Sequence, residues 1–531
     1  MTELSNLAAL RATVGSIDQL AYIKGHTTAG DGGGGTFIWR TGTPFTSGVY
    51  AIDNNGTVIQ ATGNNTGRWV RQFEDFINVK FFGAFGRNGD YTANIQAAID
   101  FAALNSISYT NDSIIKGATV FIPNGDYSIS SLLLKNKVSV LGESLEETRL
   151  HCNGLGSATG MFEIERGPVF VNVSNLHCLG EGTSKTCFYF EAKGSDPANP
   201  NTTTGGMWYS NFKNIQIKLF KGDGVVLKGG GNFLLPHQFN VFENVRVFKN
   251  SDYTHALKMI GQCGQHTFLN CQFDGFYNAD TATYSRGHNV YIQNSTLVTT
   301  AVASFINSTF QDANYGIYLE YAENVTIDNC WFENLGVAVT TRPNCKAVTI
   351  TNSRFANAAG FGSISAPNNI KNGHCFSITN SFVSITNNYV LVSNPNDIDP
   401  GAAFLVTMSN ASGGVHLENN IFSDQRLDKT SNIPQITSGS TLDVGGNRLV
   451  NVNLAGITGY VAINSRLNCG EYITVRATDS IHFTQSSRLF LDGKSQLNLS
   501  AGEMATFVKL DYANNTSENY ALVSFTKSNS I

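Results

Sequence analysis

The chain of 531 residues is long enough to bury large cores without disulfide bonds. Charged residues make up 14% of it, against about 25% in ordinary globular proteins, while it contains 52 glycines and 35 phenylalanines. This composition favours many short strands joined by turns and argues against a helical bundle. A net charge of -5 without a basic cluster excludes nucleic acid as an expected partner. No apolar stretch approaches the roughly 18 residues of a membrane span, so membrane insertion is not expected.

Residues 1–76 are predicted to form a small β-rich module. Asp31 and four consecutive glycines precede the apolar segment 36–39, and the segment GRWVRQ follows later. A glycine-rich run can cradle phosphate, but no Lys-Ser/Thr pair or helix pattern follows this one. A tight turn that leads into a strand is therefore the better interpretation.

Residues 77–454 are predicted to form the next domain, which has an amphipathic helix near 94–104 and a repeat from about residue 170 to 450. The unit is apolar–x–Asn–x–x–apolar, and its asparagines are Asn175, Asn214, Asn244, Asn270, Asn307, Asn329, Asn352, Asn387 and Asn419. The shortest spacings, 22 and 23 residues, hold three short strands and three turns, which is one coil of a parallel β-helix. Longer spacings are the same coil with a surface loop inserted.

The repeated asparagine has a mechanical reason. Asn adopts positive φ at turns more readily than most residues do. Stacked one per coil inside the helix, the side-chain amides could hydrogen-bond along the column. We therefore expect a left-handed turn and an amide ladder at this position.

Beyond residue 454 the repeat fades. Alternating segments and a hairpin turn at Asp492-Gly493 predict a compact C-terminal β-domain over 455–531. Nine cysteines without a C-x-x-C pair are expected to be buried, free thiols. No EF-hand spacing or dense Asp cluster occurs, so neither a metal nor another cofactor is expected.

Two segments carry a family resemblance. The stretch INVKFFGAFGRNGDYTANIQAAIDFA resembles the opening of the pectate-lyase-like superfamily, with departures at Tyr91 and Asn94. The preceding DGGGGTFIW and GRWVRQ are similar to the start of bacteriophage tailspikes that degrade capsular polysaccharide. The resemblance implies an all-β protein built around a right-handed parallel β-helix of the pectate-lyase-like class, with the N-terminal module and the C-terminal β-domain at its ends.

The same resemblance implies a partner and a place of action. It implies a homotrimer that binds and cleaves bacterial capsular polysaccharide, with the C-terminal domain serving trimerisation or glycan binding. It further implies contacts with other phage tail proteins and a virion-tail location after synthesis in the host cytoplasm. Because almost nothing precedes the N-terminal module, we expect docking through a short segment or a chain that is part of a longer one.

Alternation along the repeat predicts a site. If the last apolar residue of each unit points inward, its two neighbours point outward and stack about 4.8 Å apart from coil to coil. Arginines, amides and one Trp on this stripe suit a sugar chain, and the predicted binding residues are Arg246, Gln272, Gln311, Trp331 and Arg354. Asp274 and Glu333 lie two coils apart, as the acid and base of an inverting glycosidase would. Asp312, on the coil between them, could replace either one.

An insertion between Asn270 and Asn307 supports a different enzyme. It carries Asp280 and three further predicted binding residues, Tyr284, Arg286 and His288. In a polysaccharide lyase an Arg would neutralise a uronate carboxylate while His or Tyr removes the C5 proton. A third alternative is a spike that binds glycan without cutting it. The carboxylates of the stripe favour the hydrolase.

Overall fold

The computed structural model divides the chain into two compact units, Met1–Phe273 and Asp274–Ile531. The residues that it describes are 1–46, 50–86, 89–107, 118–194, 205–230, 236–249, 251, 254–275, 277–278, 283–294, 301–356, 374–379, 381–391, 404–407, 414–418, 420–422, 436–438, 441–445, 449–452, 462–465, 472–477, 480–486, 489–500, 503–510 and 519–526. Strands dominate both units. Within these ranges no helix is long and apolar enough to span a bilayer.

The first unit opens with the predicted N-terminal β module. Its elements are β1 (Thr2–Leu4), α1 (Leu7–Arg11), β2 (Leu20–Ile23), β3 (Gly35–Thr41), α2 (Thr43–Thr46), β4 (Val58–Ile59) and β5 (Gly67–Arg71). The strands form one sheet in the order β1-β2-β3-β5-β4. Trp39 and Trp69 pack edge-to-face in its core, with ring centroids 5.3 Å apart. The small N-terminal β module is thereby confirmed.

The glycine run of this module is a turn, as predicted, and Arg71 holds it in place. The Arg71 guanidinium donates to the carbonyl oxygens of Gly33 and Gly34, both at 2.8 Å. It lies over the rings of Phe37 and Phe81, 4.5 and 4.2 Å from their centroids. Burial lowers the pKa of Arg71 to about 9. These contacts commit the glycine carbonyls to Arg71 and fix the turn ahead of β3.

The coils of the first unit follow. They comprise β6 (Phe76–Asn78), the 3-10 helix Val79–Phe82, α3 (Thr92–Ile107), β7 (Ala118–Ile122), β8 (Gly125–Ile129), β9 (Leu132–Leu134), β10 (Val138–Gly142), β11 (Thr148–Cys152), β12 (Gly160–Ile164), β13 (Asn172–Leu179), β14 (Thr186–Glu191), β15 (Asn211–Lys218), β16 (Val225–Lys228), β17 (His237–Gln238), β18 (Val241–Phe248), β19 (Leu257–Ile260) and β20 (Cys263–Leu269). The helix predicted near 94–104 is α3, which begins two residues earlier and ends three residues later. Asp90 accepts a hydrogen bond from the Thr92 N–H at its start (2.9 Å).

Coil strands continue in the second unit. They are β21 (Gln272–Asp274, which begins two residues before the unit does), β22 (Tyr277–Asn278), β23 (Thr283–Gln293), β24 (Ala301–Ile306), β25 (Thr309–Glu320), β26 (Thr326–Asp328), β27 (Trp331–Thr341), β28 (Val348–Thr351), β29 (Arg354–Ala356), β30 (His374–Thr379), β31 (Phe382–Thr386), β32 (Tyr389–Leu391), β33 (Phe404–Thr407), β34 (Gly414–Glu418) and β35 (Ile421–Phe422). Strands of successive coils pair in parallel: in the first unit β13 pairs with β15 and β15 pairs with β18, and in the second unit β25 pairs with β27. The predicted parallel β-helix is confirmed.

The repeated asparagines adopt the left-handed turn that the repeat predicts. Eight of the nine have φ between 51° and 58°, and Asn419 lies outside the described residues. Asn244 donates to Asn214 at 2.9 Å, and Asn214 donates to Asn175 at 3.1 Å. The expected position inside the helix is wrong, because these side chains are half-buried or exposed at a corner. Positive φ turns the chain there, so the residue that follows the Asn points inward instead.

Aromatic stacks and small polar ladders fill the interior. Phe310, Phe332 and Phe355 stack in successive coils with centroids 4.8 and 4.6 Å apart. Ser353 and Asn388, each directly after a repeated Asn, are 2% and 1% exposed and joined by a 2.9 Å hydrogen bond. The eight described cysteines are buried and free, as expected, and Cys469 lies outside the described residues.

The described residues after β35 form ten further strands. They are β36 (Ile436–Ser438), β37 (Thr441–Gly445), β38 (Leu449–Val452), β39 (Ala462–Ser465), β40 (Tyr472–Ala477), β41 (Ile481–Thr484), β42 (Leu489–Phe490), β43 (Gln496–Leu499), β44 (Met504–Leu510) and β45 (Asn519–Thr526). Asp492 and Gly493 adopt the positive φ of the expected turn. The expected hairpin is wrong, since β42 pairs with β45 and β43 pairs with β41.

Candidate functional site

A column of polar side chains crosses three coils of the second unit. Gln311 on β25 lies directly opposite Glu333 on β27. The Gly275 N–H donates to the Gln311 carbonyl oxygen at 2.7 Å, which sets Asp274 opposite Gln311 on the other side. Asp274, Gln311 and Glu333 therefore follow one another along the stack. We call these three residues, together with Asp312, the acid column.

Asp312 stands where the column turns a corner. Its φ is 58°, and its carboxylate accepts a hydrogen bond from Asn334 at 3.1 Å. Burial and the negative charge of Glu333 raise the pKa of Asp312, although the Asn334 amide opposes the shift. Two neighbouring carboxyl groups of which one has a raised pKa can divide the roles of general acid and general base between them.

Glu333 is oriented by its own strand. The Trp331 Nε1–H donates to Glu333 Oε2 at 3.1 Å. One coil further, the Arg354 guanidinium covers the Trp331 ring at 4.6 Å and lies 5.6 Å from the Tyr389 ring. Trp331 and Arg354 thus border the acid column as an aromatic and cationic edge that an uncharged or acidic sugar could contact.

The stripe is not outward-facing throughout, which corrects the alternation argument. Asp274 is 6% exposed and Ala356 is also 6% exposed, whereas Gln311, Trp331 and Glu333 are half-buried and Arg354 is exposed. The next coil approaches so closely at Gly275 that a Cβ there would lie 1.6 Å from the Asp312 carbonyl oxygen. This approach covers Asp274.

Two predicted binding residues belong to the first unit. Arg246 is half-buried opposite Gln216, whose Nε2 lies 3.2 Å from His177 Nε2. Gln216 is 4% exposed, so the predicted outward stripe is interrupted here as well. Gln272 is half-buried on β21.

The predicted insertion loop is partly strand. Tyr284 and Arg286 lie on β23, where the Tyr284 backbone pairs with Tyr277, and Asp280 lies outside the described residues. His288, further along β23, stacks on Tyr315 with centroids 4.8 Å apart. Strand formation corrects the expectation of a long loop.

Sequence reasoning missed an aromatic cluster around His288. Tyr291 stacks on Tyr318 at 5.3 Å, and His288 contacts Tyr318 edge-on at 4.8 Å. The Arg342 Nε–H donates to the Tyr318 hydroxyl oxygen at 2.8 Å. The register Tyr291–Tyr318 between neighbouring coils was the available signal, but these residues lie beyond the repeat motif.

Three family models match separate parts of the chain. A phage tail protein small four-stranded β-sheet domain matches residues 3–74, and rhamnogalacturonase A/epimerase, pectate lyase-like, matches 76–189. A right-handed β-helix region matches 296–449. No curated protein matches the sequence significantly.

Solved structures share the fold at low sequence identity. A tailspike of Acinetobacter baumannii bacteriophage Fri1, a capsular polysaccharide depolymerase, is 16% identical with a TM-score of 0.52, over 99% of this chain and 92% of that chain. Tailspike protein 2 of Escherichia coli O157:H7 bacteriophage CAB120 is 18% identical with a TM-score of 0.52, over 99% and 72%. The tailspike of Acinetobacter phage vb_AbaP_AS12 is 14% identical with a TM-score of 0.50, over 99% and 93%. The fold is a right-handed parallel β-helix with N- and C-terminal β additions, as predicted.

Proposed function

We propose that the chain is a phage tailspike enzyme that binds a bacterial capsular polysaccharide and hydrolyses its backbone. The observation that carries the proposal is the pairing of Asp312 and Glu333 in the acid column, where one carboxyl has a raised pKa. The likeness of the fold to tailspikes, one of them a capsular polysaccharide depolymerase, supports the same substrate class.

In the proposed mechanism the two carboxyl groups have different roles because their environments differ. Glu333 takes a proton from water, whose oxygen attacks the anomeric carbon, and Asp312 donates its proton to the departing glycosidic oxygen. The C–O bond to the leaving sugar breaks, and both protons are accounted for. Asp274 is more covered than its neighbours, so it supports the column while Asp312 serves as the acid. Trp331, Arg354 and Gln311 hold the sugar chain, with Arg246, Gln272, Tyr284, Arg286 and His288 as further proposed contacts.

A lyase is the second candidate, and the aromatic cluster favours it. Arg342 and Tyr318 place a guanidinium against a phenol, and His288 lies beside them. In β-elimination Arg342 would neutralise a uronate, and His288 would take the C5 proton. The C4–O bond would break to leave a double bond in the product, and the departing oxygen would take the proton of the Tyr318 hydroxyl.

Product analysis decides between the chemistries. The purified protein is incubated with capsular polysaccharides from a panel of bacterial strains, and released oligosaccharides are weighed by mass spectrometry. We expect fragments heavier by one water than the anhydro repeat. Fragments that lack this water and absorb as unsaturated uronates would replace the hydrolase with the lyase. Binding without fragments from any strain would leave a spike that only recognises glycan.

The proposal includes assembly as a homotrimer on the virion tail, beside other tail proteins, after synthesis in the host cytoplasm. The C-terminal strands expose apolar side chains, with Tyr472 55% and Val523 53% exposed, and such surfaces favour association. Light scattering of the purified protein is expected to give three times the chain mass of 57.4 kDa. A mass of one chain at micromolar concentration would contradict the trimer without touching the chemistry.

A further inference from the structure

A cavity of about 410 Å³ lies in the first unit, away from the acid column along the chain. Its volume falls within the range of small-molecule sites. Thr159, Glu163, Tyr189, Glu191 and Lys193 line it. Glu163 on β12 and Tyr189 on β14 are directly opposite each other, and Glu191 follows two residues later on the same strand face.

The polar groups of the cavity are held in place before any ligand arrives. Glu163 Oε1 accepts hydrogen bonds from the backbone N–H groups of Thr159 (2.9 Å) and Gly160 (3.1 Å). Glu191 pairs with the Lys228 ammonium at 2.6 Å. The Tyr189 hydroxyl donates to the other Glu191 oxygen at 3.1 Å. Fixed side chains lose little conformational freedom on binding, which favours a binding site over a solvated surface.

The balance of charged groups around the cavity restricts the class of ligand that it can bind. The two carboxylates, Glu163 and Glu191, stand against two ammonium groups, Lys193 on the rim and Lys228 behind Glu191. Lys228 holds the pKa of Glu191 below its ordinary value, so this carboxylate stays an acceptor. An anionic ligand would meet both carboxylates, and a cation would meet both amines. A ring that carries hydroxyl groups both donates to carboxylates and accepts from Lys193.

We infer that this cavity binds an uncharged sugar, either a neutral hexose or an N-acetylhexosamine. The sugar site itself does not depend on the proposed function. That the bound sugar belongs to the same polysaccharide that the acid column cleaves rests on the proposed function. Because Glu191 is committed to Lys228 and Tyr189, the cavity holds the sugar and does not cleave it. It would anchor the polysaccharide to the first unit while the acid column of the second unit acts.

The test uses the intact protein and two kinds of ligand. Neutral hexoses and N-acetylhexosamines are screened by saturation-transfer NMR. Retention of a capsular polysaccharide that the wild-type protein cleaves is measured by affinity electrophoresis, with each variant made in the Glu333→Gln protein so that the polysaccharide stays intact. Glu191→Gln and Lys193→Met are each expected to weaken sugar binding and polymer retention at least tenfold. The matched control is Glu243→Gln, which removes another carboxylate paired with a lysine (Lys213, 2.9 Å) in the same unit.

The outcomes separate the two proposals. Unchanged sugar binding in Lys193→Met, whose exposed side chain can be replaced without unfolding the coil, would overturn the sugar site even if polysaccharide is cleaved. No binding of any neutral sugar by the wild-type protein would overturn it too. Sugar binding that Lys193→Met abolishes, in a protein that cleaves no polysaccharide, would support the cavity and contradict the proposed function.

Discussion

Replacing Asp312 with Asn is expected to lower the rate of polysaccharide hydrolysis by about 10²–10⁴-fold, the usual contribution of a general acid. Asn keeps an oxygen that can accept the hydrogen bond from Asn334 and tolerates the positive φ of 58° at this position. The fold should therefore survive the change. The prediction is checked by measuring kcat and KM on a polysaccharide that the wild-type protein cleaves. KM is expected to stay near its wild-type value.

The pH profile tests the role of Asp312 more directly. Its pKa is raised by burial and by the charge of Glu333, so the acid form persists to higher pH than in an exposed Asp. The wild-type rate should fall as pH rises through this pKa, and the residual rate of Asp312→Asn should lose that alkaline limb.

Stability distinguishes catalysis from a structural role. A folded-state pKa raised above the unfolded value means that folding favours the protonated carboxyl, so stability falls as pH rises from the unfolded pKa to the folded pKa and stays lowered above it. Asp312→Asn removes the charge, so it should be at least as stable as wild type at neutral pH. Glu323→Gln, which loses a surface ion pair to Lys346 on the same unit, is the matched control and should leave the rate unchanged. A full rate in both Asp312→Asn and Glu333→Gln would contradict the acid column.

The repeat carried most of the fold prediction, for a physical reason. A coil that must close on itself needs the same left-handed turn each time, and Asn is suited to that turn. The register of Gln311 with Glu333 followed from the 22-residue spacing between Asn307 and Asn329, since equal coils place equal positions opposite each other. The acid column could therefore be located from sequence alone.

The sequence predictions were wrong where the chain departs from simple alternation of inward and outward side chains. A strand alternates only while φ stays negative, and Asp312 at φ 58° breaks the pattern in the middle of β25. The same break returns Tyr315 and Tyr318 to one cluster with His288, which alternation from the repeat could not extend to. Pairing in the C-terminal strands depends on distant partners, so a local Asp492-Gly493 signal found the turn but not the strands it would join.

The fully buried histidines of the first unit give the second large expected effect. His237 is 0% and His266 is 1% exposed. The Met207 N–H donates to His237 Nδ1 at 3.0 Å, and the other ring nitrogen lies 3.2 Å from the Lys228 carbonyl oxygen, which requires a neutral ring. Burial lowers the pKa of His237 to about 4 and that of His266 to about 3, and the neighbouring His237 contributes to the second shift.

The direction in which stability changes with pH follows from a comparison of proton binding by the folded and unfolded chains. Below the ordinary His value of 6.5, the unfolded chain takes up protons that the folded interior excludes, so stability falls as pH falls from about 6.5 toward the folded values. At pH 5 each ring is expected to remove about 2 kcal/mol, or about 4 kcal/mol together. Urea unfolding of the full chain at pH 7 and pH 5 measures the loss, with unfolding rates in place of equilibria if refolding fails.

His266→Phe isolates this contribution from the carboxyl groups that titrate in the same range. The polar contact of the buried His266 ring is with the His237 backbone, and among the described residues neither ring nitrogen has a hydrogen bond of good geometry, so a ring of similar shape without nitrogens should fit the coil. The variant should lose about half as much stability between pH 7 and pH 5 as wild type does, because only His237 remains to be protonated. The control is His482→Gln, whose half-buried side chain lies on β41 among the C-terminal strands. This variant should keep the wild-type difference in stability between pH 7 and pH 5. A wild-type pH dependence in His266→Phe would mean that this histidine is not neutral in the folded chain, and the acid sensitivity would then have to come from carboxylates whose pKa the fold lowers, such as Asp126 beside His151.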